Sequence, residues 1–581
     1  MSAAPVSSKT AARNRGALLR ILLLVGILVA INALAVRFHY GFDLTAEKRF
    51  TLSPATKKLL GTVDDAAVFT IYLQNDRMGA DFQRLADATR DRLESFRSVT
   101  GGKILYRFQN PFSGVSSDDE KAKIAQQLAQ KGIVGIPFGE GENGDSYTEN
   151  ILFPYVHLAY GGKEITVSLL DNHQGMNRAE VLNYSESQLE YKLARAIYLL
   201  DRAVRPEVAY LVGNGEALDF RTFDLLNTLP QFYKIDTFDL TQNLFIPAAY
   251  KAVIIVQPTV PFSDKDKYKL DQYVLGGGRV LMAIDQNTAS LDSLAVSEAI
   301  LATDRDLGLD DLLFRWGARL NANLVEDIRC VRIPVTVGEL NGQPQIDRRP
   351  WPFFPLFVPT STHPVVNNMD GILSLFASTI DTIATPDVTK TILLESSPRS
   401  RTTAIPARIS LSSLRYKTRP ELYNKPYGPT AVLLEGKFRS AFEGRLPQAV
   451  LQMLSEQIKR PFKAASDTSG AVILVGDANI FLNQVSEKRG PQELGYWPID
   501  DVRFSNKAFL LNCMEYLTEP GSPLEARSKE SRLRLLDGAR LKTERPKWQA
   551  LNIVLPLALL VIFASAYLFF RKRRYEQRTN A

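Results

Sequence analysis

The sequence predicts an α/β protein carried between two membrane-spanning helices, on three observations. Apolar runs lie at residues 17–36 and 551–570, each backed on its outer side by Lys and Arg. Between them, short β-branched runs alternate with amphipathic helical spacing as far as Ile284. The same alternation resumes at Ala471.

Each apolar run is about 20 residues, enough to cross roughly 30 Å of hydrocarbon as a helix. Lys9, Arg13 and Arg15 precede the first and Arg20 lies in its first turn; Arg571, Lys572, Arg573, Arg574 and Arg578 follow the second. Positive residues stay on the cytoplasmic side. Cytoplasmic tails are therefore expected at residues 1–16 and 571–581, spans at 17–36 and 548–570, and an exported body between them. Trp548 and Tyr567 suit the interfacial aromatic belt. Ala33-Leu34-Ala35 has the small-x-small form of a signal-peptidase site, a rival reading; the length of the run favours an uncleaved anchor.

The net charge of +7 would suggest a polyanionic partner if it lay in the body. It does not: residues 1–20 hold four Lys/Arg and no acid, and residues 571–581 hold five Lys/Arg and one Glu, so the ends carry +8 and the body −1. A near-neutral body has no footprint for nucleic acid, and the basic ends suit anionic membrane lipid. Hydrophobic content of 45% supports large cores in two to four domains. Two cysteines give no disulfide framework, although a Cys330–Cys513 bridge stays open; Cys513 lies in an apolar helical stretch and reads as a small core residue.

In chain order, Ser53-Pro54 reads as an N-cap and first helical residue before a helix at 57–60. A strand at 68–73, helical spacing of Phe82, Leu85, Ala86, Leu93 and Phe96, and a strand at 104–108 make a βαβ unit. A helix at 121–130 follows, then a hairpin, 155–160 and 164–169, through Gly161-Gly162. A helix at 185–200, capped by Ser185 and Gln188, closes a thioredoxin-like α/β domain at 40–202 that lacks Cys-x-x-Cys and so has no redox role. Strands at 207–212, 235–238, 252–256 and 279–284 alternate with helices at 219–229 and 263–275, which implies a doubly wound parallel sheet. An insertion at about 287–470, rich in Pro and short β-like runs, interrupts this second domain (205–520), which resumes with a strand at 471–475 and a helix at 506–517. Residues 521–547 read as a stalk to the second span.

No Gly-x-x-x-x-Gly-Lys-Ser/Thr occurs, so energy from ATP must come from another chain. His39, His157, His173 and His363 are scattered without metal-ligand spacing, and neither metal nor cofactor is expected. A doubly wound sheet takes ligands at its strand ends, which singles out Asn214 and Glu216 after one strand and Asp285, Gln286 and Asn287 after another. The plainer reading has Gly213 and Gly215 supplying turn geometry and the polar side chains capping. Asp477, after Val475-Gly476, likewise reads as a turn and cap residue.

The pattern from Glu207 to Ile284 resembles the class I glutamine amidotransferase fold, in which a cysteine nucleophile follows the strand corresponding to 279–284. Here Asp285 holds that place, so the resemblance implies the fold without its acyl-transfer chemistry.

Several motifs together resemble GldG, the membrane-anchored auxiliary component of the ABC-transporter-like complex of Bacteroidetes gliding motility. They are Asp43-Leu44-Thr45-Ala46-Glu47-Lys48-Arg49-Phe50-Thr51-Leu52-Ser53-Pro54-Ala55-Thr56; Leu313-Phe314-Arg315-Trp316-Gly317 with Val325-Glu326-Asp327; Thr362-His363-Pro364-Val365-Val366; Tyr427-Gly428-Pro429-Thr430 through Lys437-Phe438; and Arg527-Ser528-Lys529-Glu530 through Trp548-Gln549-Ala550-Leu551-Asn552. The resemblance implies a GldF-like permease and a GldA-like cytoplasmic ATPase as partners in a bacterial inner membrane. The function expected from it is a non-enzymatic periplasmic subunit that passes ATPase-driven motion to an envelope or cargo protein. The resemblance transfers no binding residue. The alternative is a small-molecule or glycan-binding subunit that uses the strand-end crevice.

Overall fold

The computed structural model describes residues 22–30, 32, 51–74, 78–115, 117–138, 150–170, 178–202, 204–340, 343–416, 419–528 and 538–579. Two compact units emerge, Met1–Glu530 and Ser531–Ala581. In the first apolar run, residues 22–30 and 32 are helical and exposed; the rest, with Ala33-Leu34-Ala35, His39 and most of the motif at 43–56, lies outside the described residues, as does His173.

The first unit opens with α1 (Pro54–Thr62), where the Ser53 hydroxyl accepts from Thr56 N at 3.1 Å and Pro54 fills the first turn. Strand β1 (Ala67–Ile71), helix α2 (Ala80–Val99) and strand β2 (Ile104–Phe108) form the expected parallel βαβ unit. Phe82, Leu85, Ala86, Leu93 and Phe96 are all buried, so the 3.6-residue stripe meets the sheet. Helix α3 (Asp118–Gln130) precedes the hairpin β3 (Tyr155–Tyr160) and β4 (Lys163–Ser168), which completes a sheet in the order β2-β1-β3-β4. Helix α4 (Arg178–Asp201) begins seven residues before the expected start. Ser185 is therefore no N-cap: its hydroxyl lies inside the helix and donates to Val181 O at 2.8 Å.

A second sheet contains β5 (Glu207–Val212), β6 (Lys234–Asp239), β7 (Ala252–Val256) and β8 (Arg279–Ala283), with short α5 (Phe223–Thr228) and α6 (Asp264–Leu275) between them. Ser263 caps α6, and its hydroxyl accepts from Asp266 N. The expected insertion at 287–470 is not wholly outside this sheet. Its β9 (Val388–Glu395) and β10 (Pro429–Gly436) join β11 (Gly470–Val475), giving the order β9-β10-β11-β8-β7-β5-β6. The five strands β5 to β8 and β11 run parallel, whereas β10 is antiparallel to β11 and β9 to β10. The purely parallel sheet expected from the alternation is thus a mixed one. Val432, Leu433 and Leu434 are fully buried, which is why this edge pair reads as core despite following a long irregular segment. The remainder of the insertion includes the long hairpin Cys330–Leu340 with Gln343–Phe357, packed around Trp351, Phe354, Phe376 and Trp497.

Helix α7 (Asn506–Thr518) covers the sheet with Phe509, Leu510, Cys513, Met514 and Leu517. Both cysteines are free, and Cys513 is a core residue as expected. The first part of the expected stalk belongs to the body: Leu524 and Ala526 are buried in the same core. In the second unit, α8 (Gly538–Thr579) carries the segment Glu544–Arg573, and among the described residues it is the one helix long and apolar enough to cross a membrane.

Candidate functional site

Numbered along the chain, the five parallel strands lie in the order 2-1-3-4-5, so the connections reverse direction between β5 and β7. In such sheets the loops leaving the carboxyl ends of the strands diverge at that point and form the usual ligand crevice.

The loop after β5 is Gly213-Asn214-Gly215-Glu216. Gly213 has φ +116°, and a Cβ there would meet Asp239 Oδ1 at 2.8 Å, so glycine is required. Asn214 and Glu216, 2% and 8% exposed, are brought together: Asn214 N donates to Glu216 Oε2 at 2.8 Å, and Asn214 O accepts from Thr259 N and Val260 N in the loop after β7. The expected helix capping is replaced by this loop-to-loop clamp. Asn214 Oδ1 and Glu216 Oε1 are buried without hydrogen-bond partners. Burial pushes the Glu216 carboxyl above its usual range.

Asp285 leaves β8 in a different group. Its two oxygens accept from Gln257 Nε2 at 2.8 Å and from Ala478 N at 2.7 Å. Gln257, with φ +51°, passes the contact on, because its Oε1 accepts from Arg221 Nη1 at 2.9 Å, and Arg221 grips Asp219 through Nε and Nη2. The Arg221 hydrogen bonds hold Asp219 below the ordinary carboxylate range. Asp477, after β11, accepts from Leu375 N at 2.6 Å, from the Ser374 hydroxyl, and from Asn479 N at 2.8 Å, so it does cap the following turn. It is also a buried acid: burial first, and then the Asp285 charge, push it up to about 7. Asp285 is raised by burial as well.

Gln286 turns away from both groups. Its amide donates to Asp304 Oδ1 at 2.8 Å, and it lines a cavity of about 660 Å³ with Asp310, Arg319 and Arg445. Asn287 is structural, its amide bonded to Phe376 O and Ser378 Oγ. At the strand ends Asn214 is therefore bonded to Glu216, and Asp285 through Gln257 to Arg221, while Gln286 stands apart. Sequence reasoning missed Gln257 and Arg221; the signal was the polar Gln257-Pro258-Thr259 directly after a fully apolar strand.

Burial pushes the Cys330 thiol up to about 12 and raises Cys513 further, so neither is poised as a thiolate. Among the described residues no group of three His, Cys, Asp or Glu is placed to hold a metal ion.

No curated protein matches the chain. Among solved structures it is similar to the mmIFT52 N-terminal domain, at 12% identity over 54% of this chain and 98% of that one, with a TM-score of 0.30. It is also similar to a thua-like protein from Parabacteroides merdae ATCC 43184, at 8% identity over 54% and 90%, with a TM-score of 0.25. Residues 46–159 match a family described as a domain of unknown function. Residues 205–513, which contain the seven-stranded sheet and its crevice, match the family described as ABC-type uncharacterized transport system, and the chain belongs to this family of transport-system auxiliary components.

Proposed function

We propose that this protein is a non-enzymatic, membrane-anchored auxiliary subunit of an ABC transporter complex of the GldG kind, supporting gliding motility or surface-protein secretion. The observation that carries the reading is the family match across residues 205–513. The apolar helix Glu544–Arg573, which ends on Arg571, Lys572 and Arg573 with Arg574 next in the sequence, supports an anchor whose far end is cytoplasmic. With the first apolar run as a second span, both termini would be cytoplasmic and the body periplasmic. The parallel βαβ unit followed by a hairpin supports the thioredoxin-like reading of residues 40–202. The 2-1-3-4-5 strand order supports the amidotransferase-like reading of residues 205–520. Asp285 replaces that fold's nucleophile and is fully engaged by Gln257 and Ala478, which favours a binding or force-transmitting role over catalysis.

In this reading a GldF-like permease holds the spans, a GldA-like ATPase drives it from the cytoplasm, and the body passes the motion to an envelope or cargo protein. Purification of the tagged chain in mild detergent tests it: the permease and ATPase should co-purify, and their absence while both are expressed would sink the proposal.

A second reading, ligand binding in the crevice, is favoured by the two unpartnered oxygens on Asn214 and Glu216. A sugar, peptide and lipid panel should then raise the melting temperature of the wild type and not of Glu216→Gln. A panel without any shift removes this reading.

A further inference from the structure

The opposite end of the same sheet carries a different chemistry. A cavity of about 560 Å³ opens at the amino ends of β7 and β8, between the 244–251 loop, the last turns of α6 and α7, and the 454–463 segment. Its charged lining is Lys251, Lys269, Arg279, Lys459, Arg460 and Lys463, with no carboxylate among them. On a body whose formal charge is close to neutral, six cations around one cavity form a concentrated positive field.

Internal partners account for only some of these charges. Lys269 is neutralised by Asp266 at 2.9 Å, and Lys463 pairs with Asp467 at 3.2 Å on the exposed rim. Arg279 donates to Tyr516 O in the last turn of α7, where a cation complements the helix dipole. Among the described residues, no ion pair is formed by Lys251, Arg279, Lys459 or Arg460. Like charges held together without a counterion repel, so the fold must spend contacts to keep them there.

Those contacts are present. Gln272 clamps the backbone of Lys463 from both sides, its Nε2 donating to Lys463 O at 2.9 Å and its Oε1 accepting from Lys463 N at 2.8 Å. Phe462 stacks on Tyr268, and the Arg460 guanidinium sits 4.1 Å above the Phe245 ring. Lys459 takes φ +55°, a left-handed backbone that a lysine rarely adopts. The segment is thereby held against α6, and Lys459 and Arg460 line the same cavity as Lys251 and Arg279.

We propose that this cavity binds a phosphate-bearing anion, with Lys251, Arg279, Lys459 and Arg460 as its charge partners. The volume admits a pyrophosphate-sized group with part of its carrier, and Arg supplies the forked donors that phosphate oxygens accept. The carrier is either a phospholipid headgroup or a soluble phosphorylated molecule. The site lies at the opposite end of the sheet from the crevice and does not depend on it.

The full chain, reconstituted in nanodiscs of phosphatidylcholine alone, is titrated with pyrophosphate at low ionic strength. Binding should occur, should weaken as KCl is raised, and should fall by about tenfold or more in Lys459→Gln/Arg460→Gln, which loses two charge-assisted contacts. Lys251→Gln should give a separate loss. Nanodiscs containing phosphatidylglycerol then distinguish the source: suppressed pyrophosphate binding identifies a headgroup site, and undiminished binding a soluble phosphate. No binding in phosphatidylcholine discs, or equal binding by wild type and both variants, overturns the proposal.

Discussion

Asp285 and Asp477 close the carboxyl ends of neighbouring parallel strands, and their burial has a consequence in pH. The folded chain holds the Asp477 proton up to about pH 7, whereas an unfolded aspartic acid releases it near 4. Between those values the folded state binds more protons, so this group's contribution to stability falls as pH rises through the window. The melting temperature should therefore drop between pH 5 and pH 8, and Asp477→Asn should flatten the drop. An unchanged slope in the variant would show that other groups set it. At the other end of the body, Ser53→Ala should cost about 1 kcal/mol in a denaturation curve, because it removes the N-cap acceptor of α1. Ser53 was legible because a cap and the proline after it are neighbours in sequence. Ser185 misled because the same residue type inside a helix bonds backward to Val181, and only the start of α4 distinguishes the two. The polar step after β7 marks Gln257, but nothing local names its partners: Arg221, Gln257 and Asp285 come from three separate segments and meet only once β7 lies between β5 and β8.

The elements with strong local periodicity were legible nearly to the residue. Strands 104–108, 207–212 and 252–256 are legible with the bounds they have, since each is a short run of apolar β-branched or aromatic residues next to turn or charged residues. The edge pair β9 and β10 was not, because nothing local says which sheet a strand joins. Pairing is a long-range choice, settled by burial of Val432 and Leu434 in the core that α6 also enters and of Leu433 in the core that α7 enters. Gly436 marks the place where this pairing is tightest. It has φ +141°, and a Cβ would run into the carbonyl of Asp387. Gly436→Ala should lower stability by about 1–3 kcal/mol, read from the shift in the urea midpoint. No shift would mean that the hairpin edge relaxes freely.

At the scale of the whole molecule, α4 ties the four-stranded sheet to the seven-stranded one. On one side Leu189, Leu193 and Ile197 enter the first core. On the other, Arg195 Nε lies 2.8 Å from Glu515 Oε2, the Tyr191 hydroxyl donates to Glu515, and Arg202 pairs with Glu519 at 2.6 Å. Glu515 is almost fully buried, and removing one member of such a pair leaves the other charge stranded. Glu515→Ala should cost about 3–5 kcal/mol. A fragment of residues 205–528 should melt well below the full body, since it strands Glu515 and Glu519 without their arginines; equal melting would show that the two sheets are energetically independent.

The α/β alternation, the terminal apolar runs, the concentration of charge at the two ends and the lack of an ATP-binding loop are written locally in the sequence. All of these depend on composition or on neighbours a few residues apart. Packing between distant segments makes the sheet mixed, bonds Gln257 rather than Gln286 to Asp285's group, and puts Lys251, Arg279, Lys459 and Arg460 around one cavity. Those facts depend on contacts between segments tens to hundreds of residues apart, whose partners are fixed only by how the cores pack.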